Sequence, residues 1–146
     1  MARFGIVTMM KDEGPRILEW LAYHRLIGAE PQDRRAIVLA VNDAMVAALK
    51  VPEDFHPTRL VEYEPDCFLI PKASSARFTL VDITIFPGRS LATRRALYQA
   101  VVRRLGDLGI PAADIRIVLH ETPLENWGLR GGTPASEIDL GFEIAI

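Results

Sequence analysis

The chain reads as an α/β (α+β) domain: two tandem βαβ units sharing a four-stranded, mainly parallel or mixed sheet. Two helices lie on one face, and an extra strand closes the carboxyl terminus. Two observations predict this. Apolar residues switch between a helical period and strict alternation along the chain. One segment also repeats sixty residues later: Arg34-Arg35-Ala36 returns as Arg94-Arg95-Ala96, and Gly28 returns as Gly88. Val51-Pro52 answers Ile110-Pro111, and Glu64-Pro65 loosely answers Thr122-Pro123. Each unit is a helix, a proline-marked turn and a strand. A strand before each helix makes it βαβ, a connection that is right-handed between parallel strands.

Residues 1–30 are set apart as an atypical segment, and residues 31–146 form the domain proper. In the preferred reading, Phe4–Met9 is the first strand and 14–28 an inserted helix. Pro15 suits a first helical turn, and Ile17, Leu18, Leu21 and Ala22 share a side. The alternative follows the repeat, aligns Trp20–Leu26 with Leu80–Phe86 as the first strand, and leaves residues 1–18 as an extension.

The next helix carries Ile37, Val38, Val41, Met45, Ala48 and Leu49 on one stripe. Pro31 stands near its start, where a missing N–H costs nothing, and Pro52 ends it. A weaker strand follows at Arg59–Tyr63. Phe78–Phe86 (FTLVDITIF) is a strand with Val81, Ile83 and Ile85 on one face and Asp82 and Thr84 on the other. The second helix, 91–108, aligns Leu97, Ala100, Val101, Leu105 and Leu108, with Gly109 as its C-cap and Pro111 beyond. Ile115–Glu121 alternates as a strand, Ile117 and Leu119 against Arg116 and His120. Residues 137–146 (EIDLGFEIAI) alternate cleanly and predict the last strand.

Both helices cover one sheet face, so the other, with Leu80, Phe86 and Val118, needs a cover. An apolar terminal strand is also a poor open edge. Oligomerisation through the sheets is therefore expected.

Composition narrows the function. Apolar residues are 49%, charged residues 25% and net charge −2, a globular balance with no pull toward nucleic acid or anionic membrane. The apolar run Phe4–Met10 is too short to span a bilayer and lacks a signal peptide's basic start, which predicts a cytoplasmic protein. Cys67, alone, excludes an internal disulfide and reads as a small core residue rather than a nucleophile. His24, His56 and His120 have no metal-ligand spacing, and His120 reads as a strand-face residue.

Four stretches, LVDITIFPGRS (80–90), RRALYQAVVRRL (94–105), IPAADIRIVLHETP (110–123) and ENWGLRGG (125–132), resemble the tautomerase superfamily, the 4-oxalocrotonate tautomerase and malonate semialdehyde decarboxylase type with its MIF-like fold. PQDRRAI, VPEDF and LVEYEPDCFLIP, between Pro31 and Pro71, resemble the family's first half. The resemblance implies a homotrimer with active sites at subunit contacts. It also implies keto–enol tautomerisation of a small carboxylated substrate, with no metal or organic cofactor.

That chemistry needs a base of near-neutral pKa and a cation for the substrate carboxylate. Arg89, in PGRS, matches the family's substrate-binding arginine and precedes a helix amino terminus, which favours anions. Trp127 and Arg130, in NWGLRGG, are candidates for a pocket wall and a second cation. The family's base is an amino-terminal proline, whereas position 2 here is Ala. With Met1 removed, the Ala2 primary amine, pKa about 7.7–8, is the provisional base. Residues 8–28 (TMMKDEGPRILEWLAYHRLIG) also resemble the opening of a family 2-type glycosyltransferase. The Asp-x-Asp metal motif of that fold is missing, so the resemblance implies a recruited amino terminus on a tautomerase body.

Overall fold

In the computed structural model, the structure describes residues 3–8, 31–53 and 55–146. The segment 14–28, with its inserted helix and its glycosyltransferase resemblance, lies outside the described residues. Four strands form one sheet in the order β2-β1-β3-β4: β1 (Arg3–Thr8), β2 (Thr58–Tyr63), β3 (Thr79–Ile85) and β4 (Ile115–Glu121). Two long helices accompany them, α1 (Pro31–Leu49) and α2 (Leu91–Asp107).

The second unit is the βαβ expected. β3 and β4 pair in parallel, Thr79 opposite Ile115 and Ile85 opposite Glu121, with α2 between them in sequence. The first unit departs from expectation. β1 pairs parallel with β3 but antiparallel with β2, Arg3 opposite Tyr63 and Thr8 opposite Thr58. The sheet is thus mixed, and the α1 connection joins antiparallel neighbours. The repeat reports helix–turn–strand content, which both halves share. Strand direction depends on pairing partners that no local pattern encodes.

Both helices lie on one face of the sheet. Ile37, Val41, Ala44, Met45 and Leu49 of α1 and Leu97, Ala100, Val101 and Leu105 of α2 form one cluster with Val81, Ile83 and Ile85 of β3. The fully buried apolar side chains of this cluster each contribute about 1.5–3 kcal/mol of transfer free energy. The period-2 reading of β3 holds: Val81, Ile83 and Ile85 are buried, and Leu80, Asp82 and Thr84 are half-buried on the opposite face. On that face β4 leaves Val118 37% exposed.

A second cluster lies past the ends of β3 and β4. Phe86, Trp127, Leu129 and Ala135 form it, with Leu124, Ile138, Leu140, Phe142 and Ile144 packed against it. A small hairpin, β5 (Gly128–Leu129) and β6 (Thr133–Pro134), carries Leu129 into this cluster. Its turn uses left-handed Arg130 (φ 48°) and Gly131 (φ 85°).

Three expectations are corrected. Residues 137–146 form no strand. After a one-turn 3₁₀ helix (Ala135–Glu137) the chain runs without ladder pairing and bends at Gly141, φ 74°. The alternation is real, with Ile138, Leu140, Phe142 and Ile144 half-buried between exposed neighbours. It marks one-sided burial without strand pairing. Phe86 is buried in the second cluster instead of facing out. Cys67 is exposed, in a one-turn 3₁₀ helix (Pro65–Cys67) outside both clusters.

Candidate active site

The carboxyl ends of β3 and β4 lie side by side, and Arg89, Trp127 and Arg130 are in the segments that follow them. Such ends, with helix amino termini beside them, are the usual place for ligands in open α/β sheets. Pro87 has no N–H to extend the ladder, and Gly88 turns the chain at φ 108°, a conformation that only glycine adopts without strain. Arg89 follows, then Ser90, the N-cap of α2, whose Oγ accepts from the Thr93 N–H at 3.1 Å. Arg94 braces the junction. Its Nε donates to the Arg89 carbonyl at 3.1 Å, and its Nη2 meets Glu121 Oε1 at 2.6 Å.

Arg89 is 4% exposed. Its Nη1 donates to the Glu143 carbonyl at 2.9 Å, and its buried Nε has no partner among the described residues. No carboxylate pairs with it among the described residues. Burial pushes the guanidinium down from its ordinary pKa, because desolvation disfavours the charged form. A buried cation held by one neutral oxygen is a costly arrangement that a carboxylate would relieve.

Trp127 is 6% exposed, edge-on to Phe86 at 5.1 Å between centroids, and its Nε1 donates to the Thr122 carbonyl at 3.0 Å. It thus stands behind the junction that Phe86 enters and Arg89 leaves. Arg130 is exposed and donates to the Asp139 carbonyl at 3.3 Å. Arg89 and Arg130 therefore both hold main-chain oxygens of one segment, 138–146. Ala2 lies outside the described residues. Phe4 pairs beside Thr79, at the opposite end of β3 from Arg89. That strand spans about 20 Å at 3.3 Å per residue.

The model of a family described as "Tautomerase enzyme" matches residues 55–130, just over half of the chain and all of this junction. The chain belongs to the tautomerase family. Among curated proteins, the 2-hydroxymuconate tautomerase of Comamonas testosteroni is 38% identical over 50 residues, 34% of this chain and 79% of that one. Among solved structures, FG41 malonate semialdehyde decarboxylase inhibited by 3-bromopropiolate is similar with TM-score 0.67 and 19% identity, over 92% of this chain and 96% of that one. A fused 4-OT symmetric trimer is similar with TM-score 0.65 and 21% identity, over 92% and 96%. The structural likeness shows the tautomerase fold, and the family match carries the assignment.

In this tautomerase-family chain the sequence pointed to Arg89 and overlooked its neighbours. The Ser90 N–H and the Thr93 hydroxyl both donate to the Ile146 main-chain oxygen at 2.8 Å. Ser90-x-x-Thr93 is an N-cap pattern, and reading it would have placed two donors beside Arg89. The Glu143 carbonyl and the Ile146 main-chain oxygen carry no sequence signal, being backbone atoms 54 residues from Arg89 and 56 from Ser90.

On the open sheet face, His120 Nε2 lies 3.2 Å from Asp82 Oδ1, with the histidine exposed as expected of a strand-face residue. Among the described residues no three His, Cys, Asp or Glu groups converge as metal ligands, and no helix is long and apolar enough to cross a membrane.

Proposed function

We propose that this tautomerase-family protein catalyses keto–enol proton transfer on a small carboxylated carbonyl or enol compound, with Arg89 anchoring the carboxylate. The observation that carries this reading is the buried Arg89 guanidinium without a carboxylate partner among the described residues. A substrate carboxylate supplies the missing counter-charge in bidentate form, and the first turn of α2 adds N–H donors. Arg130 and Trp127 frame the pocket. The Ala2 amine, about a tenth to a sixth free base at pH 7, takes and returns the proton as a weak base.

The start of β1 and Arg89 lie at opposite ends of one sheet. The reading therefore assembles the base from one subunit and the anchor from another, in a homotrimer like that of the fused 4-OT neighbour. The half-covered sheet face around Leu80 and Val118 is the surface such an assembly buries. A second reading, a catalytically silent trimer serving as a binding or structural module, is favoured by one fact: position 2 is Ala.

The test is ketonisation of 2-hydroxymuconate or enolised phenylpyruvate, followed by absorbance. Arg89→Ala should lower kcat/KM about a hundredfold, the size of losing one charged transition-state contact. Arg89→Lys should recover part of it, with circular dichroism confirming the fold of both. An Arg89→Ala variant as fast as its parent removes the anchor. Silence of the parent across a panel of small keto and enol acids, with an intact trimer, selects the second reading.

A further inference from the structure

Three donors converge where β3 hands over to α2: Arg89 Nη1, the Ser90 N–H and the Thr93 hydroxyl. Each already holds an oxygen from residues 143–146, Glu143 O on the first and Ile146 O on the other two. The fourth donor, Arg89 Nε, is buried and unpartnered among the described residues. Two oxygens are thus presented to a guanidinium and a helix amino terminus, as the two oxygens of a carboxylate would be.

The segment that supplies them lies outside the sheet ladder. Phe142 anchors its root, packing edge-on to Phe55 at 4.6 Å between centroids and touching both apolar clusters. Gly141 bends the chain just before it. Beyond Phe142 the segment has no ladder, and its one internal hydrogen bond is Ile146 N–H to the Ile144 carbonyl at 3.1 Å. Ile144 lies across Gly88, and a Cβ there would sit 3.7 Å from its Cγ2.

We propose that residues 143–146 are a displaceable strap whose main-chain oxygens occupy the anion site of Arg89, Ser90 and Thr93 until a small carboxylate takes their place. The inference rests on the reading of Arg89 as carboxylate anchor. It adds that the site is self-occupied at rest, and that Ser90 and Thr93 are ligands of the incoming anion. Strap and carboxylate compete for the same donors. Apparent affinity is then the intrinsic affinity scaled by the fraction of molecules with the strap lifted. A segment outside any ladder, held mainly by the donors of the site itself, is freed when a carboxylate takes those donors.

Calorimetric titration with malonate tests this on the full chain, on a chain stopped after Phe142, and on full-length Ile144→Ser. Stopping after Phe142 should tighten malonate about tenfold or more, and Ile144→Ser should tighten it less. In the full chain, malonate should speed hydrogen exchange at the Ile146 amide while the Ser90 amide stays protected, now by the ligand. Unchanged or weaker binding in both variants overturns the strap, as does malonate binding by no form. If the shortened chain fails to melt cooperatively, Ile144→Ser and the exchange pattern decide. Ketonisation assays on the same samples separate the two readings. Tightening without turnover in any form keeps the strap and rejects the enzyme, whereas turnover without tightening keeps the enzyme and rejects the strap.

Discussion

The two helix–turn–strand units bury the same positions and differ at the entrance to their helices. Ile37, Val41 and Met45 in α1 answer Leu97, Val101 and Leu105 in α2, sixty residues on, and all six are buried. At the same offset, Arg89, Ser90 and Thr93 are answered by Ala29, Glu30 and Asp33. A cation and two donors in one copy correspond to two carboxylates in the other. The core constrains shape and apolarity, so both copies keep it. The proposed anion site constrains charge at one helix entrance, and its residue types stand at these positions in the second copy and not in the first.

The largest effects should come from breaking the shared core. Ile37→Ala and Leu97→Ala each remove a side chain at most 1% exposed, and each should cost about 2–5 kcal/mol in urea denaturation. The equivalence of the halves predicts similar costs. A difference beyond about 2 kcal/mol would mean that one helix docks onto a core the other builds.

The turns sharpen the comparison through their buried polar residues. In the second unit Asp114 accepts from the Ser75 N–H at 2.9 Å and from the Ser75 hydroxyl. In the first, His56 is 5% exposed with neither ring nitrogen partnered among the described residues. Desolvation by burial pushes its pKa below the ordinary 6.5, its own nearby backbone opposing only in part. The unfolded chain therefore binds a proton that the folded chain refuses, between 6.5 and the lower folded value. Stability should be flat above pH 6.5 and fall as pH drops below it, by at most about 1.4 kcal/mol per unit. Urea titrations at pH 7.5, 6.5 and 5.5 check this. His56→Leu should flatten the profile, and an unchanged slope would assign the acid sensitivity elsewhere.

Periodicity in the sequence was enough for both helices, β3 and β4 with their inward faces, and for the place of β2, because a stripe or an alternation is the imprint of one-sided burial. The same imprint misled at 137–146, where burial is one-sided but the main chain is claimed by Arg89, Ser90, Thr93 and Arg130. The antiparallel β1–β2 pairing was invisible for a related reason, since a repeat records composition and spacing and not strand direction. Arg89 was legible from its motif and its place before a helix. Its burial was not, because the covering oxygen belongs to Glu143, far along the chain.

The smallest effects lie at the helix exits. α2 ends in a Schellman motif: Gly109 N–H to Gly106 O at 2.8 Å, Ile110 N–H to Leu105 O at 3.1 Å, and Gly109 at φ 78°. α1 makes the same left-handed exit with Lys50, at φ 53°. Gly109→Ala should cost about 1–2 kcal/mol, mainly from backbone strain. The Cβ would meet Arg77 Nη1 at 3.3 Å, the end of a side chain able to shift.

Lys50→Gly is the converse and should be the smaller change. It relieves the left-handed strain of a non-glycine residue but gives the unfolded chain more freedom, leaving a net gain of a few tenths of a kcal/mol up to about 1. The two variants together read the same exit from opposite sides. A Lys50→Gly variant less stable than its parent would show that the lysine side chain contributes more at that exit than its backbone conformation costs, and that the two helices end by different physics.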